Sequence, residues 1–303
     1  MRTRLLLLSV LVVVPALAAA PRESLLVSPA RLAKQVNDPR LVLLHVGRKE
    51  DYAARHLPGA RHVSLADVSV SDTSATGLHL EMPPAEDLRA RLQKLGISDQ
   101  SRVVVYYAND WVSPATRIVF TLDYAGLGDR TSLLDGGMGA WVGAGHPVTA
   151  EVPPAREGKL SPLKLRPLVV DAAYVRANAA KPGVAIVDAR LPAFYDGIDT
   201  GGSPESPHKT GHIRGAHTFP FQQVTDDAVI FRPAAELRTL FDKAGVKPGD
   251  TIVGYCHVGQ QATAMLFAAR TLGHKVLLYD GSFEDWSRQP EAAVELTVAE
   301  ATP

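Results

Sequence analysis

Short runs of apolar, β-branched residues alternate along the chain with longer segments whose apolar residues recur at helical spacing. The runs predict strands that are buried on both faces. The longer segments over 85–95 and 234–244 predict helices, and a glycine suited to a C-cap follows each one. The predicted strands cover residues 41–46, 103–107, 184–187 and 251–255. Strands that alternate with helices predict an α/β fold, in which helices cover both faces of a parallel sheet.

The two halves of the chain repeat one another. The segment "LRARLQKLGISDQSRVVVYY", which begins at Leu88, parallels "LRTLFDKAGVKPGDTIVGYC", which begins at Leu237. "SLLDGGMGAW" ends at Trp141 and parallels "LLYDGSFEDW", which ends at Trp286, and we expect both tryptophans to be core residues beneath the Asp-Gly turns. "LVLLHVGRKEDYAARHLPGARHV" has its counterpart in "VAIVDARLPAFYDG" and, after an insertion, "TGHIRGAHTF". Three blocks in the same order indicate a duplication.

Prolines mark the boundary between the two copies. Five of them lie between Pro147 and Pro167, and proline continues neither a helix nor a central strand. We therefore predict an extended linker over residues 149–166. The predicted domains are residues 25–148 and 167–293.

The first twenty residues have the pattern of a secretory signal. Arg2 and Arg4 precede an apolar run that ends near Leu17 and is shorter than the roughly 20 residues that span a bilayer. Small residues follow and offer a cleavage site after residue 18 or 20. We predict an exported protein, in the bacterial periplasm, with no stable membrane association after cleavage. An uncleaved membrane anchor is the alternative.

The charge balance bears on the kind of partner. Lys plus Arg and Asp plus Glu each total 32, so the formal net charge is zero. No basic face indicates nucleic acid. The histidines show no pair at ligand spacing with a carboxylate, so no metal site is expected. A small molecule is the better expectation for a partner.

Cys256 is the single cysteine, and it follows the predicted strand 251–255 directly. An exported protein with one cysteine cannot form an internal disulfide, so this thiol is either buried and inert or exposed and used. A helix is predicted to begin near Gln260 or Gln261, which places Cys256 in a strand-to-helix turn, where active sites of α/β sheets gather. Gly259 permits a left-handed backbone that turns successive N–H groups toward one centre. Such a turn would favour a thiolate.

These blocks together resemble the tandem-domain rhodanese sulfurtransferases. The segments that carry the resemblance are "VDARLPAFYDG", "GHIRGAHTFPF", "YCHVGQQATA" and "LYDGSFEDW", and it extends from about Leu25 to Pro290. It implies two tandem rhodanese-like domains, of which only the second is catalytic. Tyr107 fits this division, because it occupies the Cys256 position in the first copy.

The resemblance implies nucleophilic sulfur transfer. Cys256 would take a sulfane sulfur from a small-molecule donor, such as thiosulfate or 3-mercaptopyruvate, and pass it to a thiophilic acceptor, such as cyanide or a thiol. Neither a metal nor an organic cofactor is implied. The residues expected to bind the substrate are His257, Val258, Gly259, Gln260, Gln261, Ala262 and Arg190.

The sequence departs from the family pattern around the cysteine. The loop after Cys256 has neither the basic residues usual in thiosulfate-specific relatives nor the Gly-Val-Thr ending usual in mercaptopyruvate-specific ones. Phe194 stands where a substrate-binding arginine is expected. Arg190 could instead pair with Asp188, and His212 and Arg214 could fix a loop.

Two other functions are considered for this sequence. A cysteine phosphatase with a Cys-x5-Arg loop would need arginine at position 262, which is alanine here, so a phosphate would lack its clamp. A persulfide carrier or binding module without turnover is the second alternative. Sulfur loading of Cys256 separates an enzyme or a carrier from a vestigial thiol.

Overall fold

The computed structural model describes residues 21–74, 76–108, 111–203 and 206–297. The predicted signal sequence, residues 1–20, lies outside these ranges. Helices α1 to α11 are Pro21–Leu25, Pro29–Ala33, Lys49–Ala54, Ala85–Lys94, Ser113–Leu122, Gly137–Gly143, Ala172–Asn178, Pro192–Asp196, Ala234–Lys243, Ala262–Thr271 and Ser282–Arg288. Strands β1 to β14 are Leu26–Val27, Leu41–Val46, Arg61–Val63, Arg102–Tyr107, Thr131–Leu134, Val169–Val170, Val184–Asp188, Gly202–Ser203, Ser206–Pro207, His212–Ile213, His217–Thr218, Thr251–Tyr255, Val276–Tyr279 and Val294–Glu295.

Each half of the chain forms one five-stranded sheet. The strand order is β1-β5-β4-β2-β3 in the first half and, in the same direction, β6-β13-β12-β7-β11 in the second. Every neighbouring pair in both sheets is parallel. Equivalent strands therefore occupy equivalent places, as a duplication requires, and the predicted α/β class is confirmed.

The predicted elements agree with the observed ones to within a residue. β4 begins one residue earlier than predicted, at Arg102, and β7 extends one residue further, to Asp188. The predicted helices 85–95 and 234–244 end at Lys94 and Lys243. In both cases Gly96 and Gly245 follow with positive φ, so the chain turns away from the helix where the glycine allows it.

Helices α5 and α10 pack against each other and join the two domains. Each follows the central strand of its own sheet, and nearly all residues of both are buried because each contacts its sheet and the other helix. The hydroxyl groups of Thr116 and Thr263 meet at this crossing, with their oxygens 2.9 Å apart. None of the helices in the described part of the chain is long and apolar enough to cross a membrane.

The segment between α6 and β6 runs without helix or strand along the N-terminal domain. The backbones of Thr149 and His56 bond to each other in both directions, with N···O distances of 2.8 Å. Further along, Gly158 donates to the carbonyl of Gln93, and Leu160 is buried. The segment is therefore extended, and it packs on the first domain.

Candidate active site

Cys256 lies directly after β12, at the carboxyl edge of the second sheet. Its N–H donates to Ser282 Oγ at 3.2 Å, and its carbonyl oxygen accepts from the N–H of Phe283 at 3.0 Å. Only 1% of the residue is exposed. Of the two states that the sequence left open for this thiol, buried or exposed, the structure has the buried one.

That loop, residues 257–262, will be called the cradle. Among the described residues, none of its six N–H groups donates to a protein acceptor. Gly259 has φ +76, and a Cβ there would lie 2.8 Å from the carbonyl oxygen of Asp280. Ala262 begins α10, so the N-terminus of a ten-residue helix stands at the end of the cradle. Successive N–H donors beside a helix N-terminus stabilise negative charge.

An arginine of the first domain fixes the cradle. Arg117, in α5, is fully buried, and its guanidinium donates to Gly259 O at 3.1 Å and to Asp280 Oδ1 at 2.6 Å. The same guanidinium also donates to the carbonyl of Leu80. Asp280 in turn accepts the N–H of Met82 at 2.8 Å. The carbonyl of Gly259 is thus held toward the N-terminal domain, and the shape of the cradle depends on both domains.

The side chain of Gln260 bonds to the first domain. Its side-chain amide donates to Ser113 Oγ, at the start of α5, at 3.0 Å. Gln261 Oε1 is buried without a partner in the described structure. Gln260 was predicted to bind substrate, but its side chain positions the loop against the first domain.

Arg190 takes the structural role that the sequence left open. Its Nη2 lies 2.6 Å from Asp188 Oδ2 and donates to Gly211 O at 2.7 Å. The guanidinium stacks over the ring of Phe283, with Cζ 3.9 Å from the ring centroid. The residue is 1% exposed and does not line the cavity beside the cradle. The geometry does not favour a contact between the Arg190 side chain and substrate, because its charge is already paired with Asp188.

A cavity of about 640 Å³ opens beside the cradle. Its wall comes from the cradle, from the insertion in the second copy and from a segment of the first domain. The lining residues are Thr73, Ser74, His79, Phe194, Thr200, Gly201, Gly202, Ser203, His208, His257, Val258, Glu284 and Arg288. A volume of this size is typical of sites for small organic molecules.

The imidazoles of His257 and His208 are neutral near pH 7. Burial, together with the charges of Arg190 and His208, lowers the pKa of His257 to about 4. Burial also lowers the pKa of His208. The ring of Phe194 stands edge-on to His257, with centroids 4.6 Å apart and planes at 87°. His257 therefore cannot supply the positive charge that an electrostatic role would need.

The remaining sequence candidates lie in the framework. His212 Nδ1 is 2.8 Å from the carbonyl oxygen of Tyr195, and the two rings stack. Arg214 is largely exposed and pairs with Glu295 at 3.3 Å. Both residues fix a loop, as the structural interpretation held. Trp141 and Trp286 are buried, so the prediction that they are core residues is confirmed.

The described residues include no group of three His, Cys, Asp or Glu side chains that could hold a metal ion.

Comparison with known proteins identifies the fold. The model of the rhodanese-like domain matches residues 28–144 and again residues 171–289. The chain belongs to the rhodanese family. A thiosulfate sulfurtransferase of Azotobacter vinelandii is 28% identical over 273 residues, covering 90% of this chain and 97% of the relative. A thiosulfate sulfurtransferase of Rattus norvegicus is 29% identical over 254 residues, covering 81% of this chain and 82% of the relative.

Solved structures agree with the family. The crystal structure of YnjE matches with a TM-score of 0.80 at 25% identity, covering 92% of this chain and 70% of that one. A structure of an EanB variant in complex with ergothioneine matches with a TM-score of 0.82 at 20% identity, covering 93% and 72%. At that identity the second likeness shows the fold alone. This rhodanese-family protein is a sulfurtransferase.

Sequence reasoning missed the contribution of the first domain. Arg117 aligns with Leu266 of the second copy, so the duplication carried a signal: one copy has a charged residue where the other has an apolar one. Ser282 aligns with Gly137, and both have positive φ, at 52° and 54°. A serine at a position whose backbone suits glycine indicates that its hydroxyl is needed, here to accept the N–H of Cys256.

Proposed function

We propose that Cys256 carries the transferred sulfur as a persulfide. Its thiolate attacks the sulfane sulfur of a donor, a new S–S bond forms at Sγ, and the donor's bond to that sulfur breaks with the electron pair leaving on the donor fragment. The acceptor's nucleophile then attacks the outer sulfur. The Sγ–S bond breaks and the thiolate of Cys256 returns. The chain ends each cycle as it began.

One observation carries this proposal: the cradle directly after Cys256 presents six N–H groups without a protein acceptor. Such donors stabilise the negative sulfur of the thiolate and of the persulfide anion, because they are fixed before the charge develops. Gly259 and the Arg117–Asp280 pair hold them in place. Thiosulfate and 3-mercaptopyruvate are the first donors to test, and cyanide and thiols the first acceptors.

Intact mass tests the proposal. The mature protein is incubated with thiosulfate, 3-mercaptopyruvate or inorganic polysulfide, and we expect a gain of one sulfur that is absent in Cys256→Ser. Cyanide should then remove the sulfur and form thiocyanate. A sulfur that loads but resists every acceptor would support the carrier alternative, whereas no adduct from any of the three reagents would contradict the persulfide.

We also propose export, on the sequence of residues 1–20. The apolar run and the small residues after it fit a cleaved secretory signal. The test is fractionation of cells that express the full chain, followed by N-terminal mass analysis. The full-length mass in the cytoplasmic fraction would contradict export, and a full-length chain in the membrane fraction would favour the uncleaved anchor.

A further inference from the structure

One wall of the cavity beside the cradle comes from a segment that has no counterpart in the first copy. In the first copy Tyr52 and His56 are four positions apart. Their counterparts Tyr195 and His212 are seventeen apart, so thirteen residues have been added. The described residues between this tyrosine and this histidine, 196–203 and 206–211, will be called the insertion loop. It supplies five lining residues of the cavity: Thr200, Gly201, Gly202, Ser203 and His208.

A segment of the N-terminal domain closes the opposite wall. Residues 71–74 and 76–82 cross to the C-terminal domain and will be called the crossing segment. His79 anchors it, because its backbone N–H donates to Glu284 Oε2 at 2.9 Å and its Nδ1 lies 2.7 Å from Glu284 Oε1. Arg288 donates to the carbonyls of Thr76 and Gly77. The cavity thus lies between the two domains.

The charges of the cavity wall are already paired. Arg288 Nη2 lies 3.2 Å from Glu284 Oε1, the oxygen that His79 also meets. Arg190 is buried on Asp188 and does not line the cavity. The rings of His208 and His257 are neutral near pH 7, since burial lowers the pKa of both. Among the described lining residues, no side chain therefore offers an unpaired positive charge to an anion.

The remaining wall suits an uncharged organic group. Phe194 and Val258 give apolar surface, and Thr73 and Thr200 add hydroxyl groups. His208 is 9% exposed, and its Nδ1 is buried without a partner in the described structure. An anionic group held against this wall would lose its hydration without gaining a side-chain countercharge, whereas an apolar or aromatic group would gain contact area.

The geometry points to a neutral organic thiol, with an apolar or aromatic substituent, as the sulfur acceptor that this cavity selects. This inference rests on the proposed persulfide of Cys256. The acceptor's thiol proton leaves to water, and its sulfur attacks the outer sulfur of the persulfide. The bond to Sγ breaks, the thiolate of Cys256 takes the electron pair, and an organic persulfide leaves. Phe194 is the residue that sets this preference, because it occupies the wall beside His257 with a ring instead of a charge.

The experiment compares two acceptors of different charge. Cys256 is loaded with sulfur from inorganic polysulfide, excess reagent is removed, and phenylmethanethiol or 3-mercaptopropionate is added. Loss of the extra sulfur is followed by intact mass. Each rate is divided by the rate of the same thiol with a small persulfide in solution, which removes differences in intrinsic nucleophilicity. We expect the neutral thiol to be favoured by about tenfold.

Three variants locate the preference. Phe194→Arg should reduce it by about tenfold, because the new guanidinium would pair with the carboxylate of 3-mercaptopropionate. Phe194→Leu should keep the preference, since the wall stays apolar. Ile198→Arg is the matched control: this residue is 70% exposed and does not line the cavity, so the same charge added there should leave the preference unchanged.

The outcomes separate the two proposals. Failure to load sulfur from polysulfide, thiosulfate and 3-mercaptopyruvate alike would overturn the persulfide itself. Normal loading with equal acceptor rates, or a faster anionic thiol, would overturn the selection of a neutral thiol and leave the persulfide standing. An equal effect of Ile198→Arg and Phe194→Arg would also overturn it, because surface charge would then explain the preference. A change confined to Phe194→Arg supports it.

Discussion

The two domains share one framework and differ in the residues at the carboxyl ends of their central strands. In the first, Tyr52 stacks on His56 and its hydroxyl donates to Ala60 O. In the second, Tyr195 stacks on His212 and its hydroxyl donates to Ala216 O. The same ring pair therefore closes the same loop twice. These shared contacts belong to the framework of both domains, and none of them involves a residue of the cradle.

The differences are concentrated at the carboxyl ends of the central strands. β4 ends in Tyr107, whose hydroxyl donates to Val229 O of the second domain at 2.5 Å, whereas β12 is followed by Cys256. The second copy also has the buried Asp188–Arg190 pair, where the first has His45 and Gly47. We therefore expect the first copy to support the site of the second. Variants at these positions can test that division of labour.

The largest effect is expected from Gly259→Ala. The added Cβ would lie 2.8 Å from Asp280 O and 3.0 Å from Arg117 Nη1, at φ +76, so the cradle must change shape. We expect the rate of sulfur loading onto Cys256, followed by intact mass, to fall about a hundredfold. Gly249→Ala is the matched control, because Gly249 has φ +89 but nothing within 4 Å of its Cβ position. Equal losses in both variants would mean that backbone strain alone slows the reaction.

A smaller loss is expected from Arg117→Met, which tests whether the first domain serves the site. The variant removes the donor to Gly259 O, and we expect about tenfold slower sulfur loading because the N–H groups are no longer held. We also expect the pH midpoint for alkylation of Cys256 to rise, since a loosened cradle stabilises the thiolate less.

Arg270→Met is the control for Arg117→Met. Arg270 Nη1 also forms an ion pair between the domains, 2.8 Å from the buried Asp123 Oδ2, but the arginine is half-buried and no contact of this pair reaches the cradle. Both variants should lose stability in urea denaturation, Arg117→Met by about 3 kcal/mol for a broken buried pair and Arg270→Met by less, because Arg166 still pairs with Asp123. Only Arg117→Met should move the alkylation midpoint. If both variants moved it equally, Arg117 would act through domain packing rather than through the cradle.

The pH dependence of stability distinguishes the copies more weakly, because each contains a histidine whose pKa burial lowers to about 4. Burial lowers the pKa of His257 to about 4, and burial with His62 and His56 nearby lowers that of His45 to about 4. The unfolded chain then binds protons that the folded chain does not between pH 6.5 and about 4. The stability that each histidine contributes is present above pH 6.5 and is lost as the pH falls toward 4.

Urea denaturation at several pH values measures this loss. His257→Phe should remove up to about 3 kcal/mol of the decrease in unfolding free energy between pH 7 and pH 4. His45→Phe offers the matched comparison in the first domain. An unchanged pH dependence in His257→Phe would mean that the imidazole is solvated and charged in the native site, which would weaken the argument for a neutral cavity.

Much of the fold could be predicted from the sequence because strand and helix periods are local properties. The duplication predicted two tandem domains, and the position of Cys256 after a buried strand predicted that it lies at the carboxyl edge of a sheet. The partners of the site could not be predicted, because they depend on how the two domains pack. Arg117 meets Asp280 and His79 meets Glu284 across the domain boundary, and no spacing along the chain indicates these partners. The Asp188–Arg190 pair is different, because its two residues lie two positions apart and the sequence offered that pairing as one of two roles for Arg190.

The smallest effect is expected from Tyr107→Phe, which removes the hydroxyl at the first-copy equivalent of Cys256. The ring stays in place, and only the hydrogen bond to Val229 O is lost. We expect a loss of about 1 kcal/mol in unfolding free energy and less than about a twofold change in sulfur loading, since the bond lies outside the cradle. Loading and urea denaturation are measured on the same preparation, beside Tyr255→Phe. Tyr255 precedes Cys256 along the chain, and its hydroxyl accepts the N–H of Ile213 within the second domain. A large loss of loading in Tyr107→Phe with unchanged stability would show that the first domain takes part in the chemistry rather than supporting it.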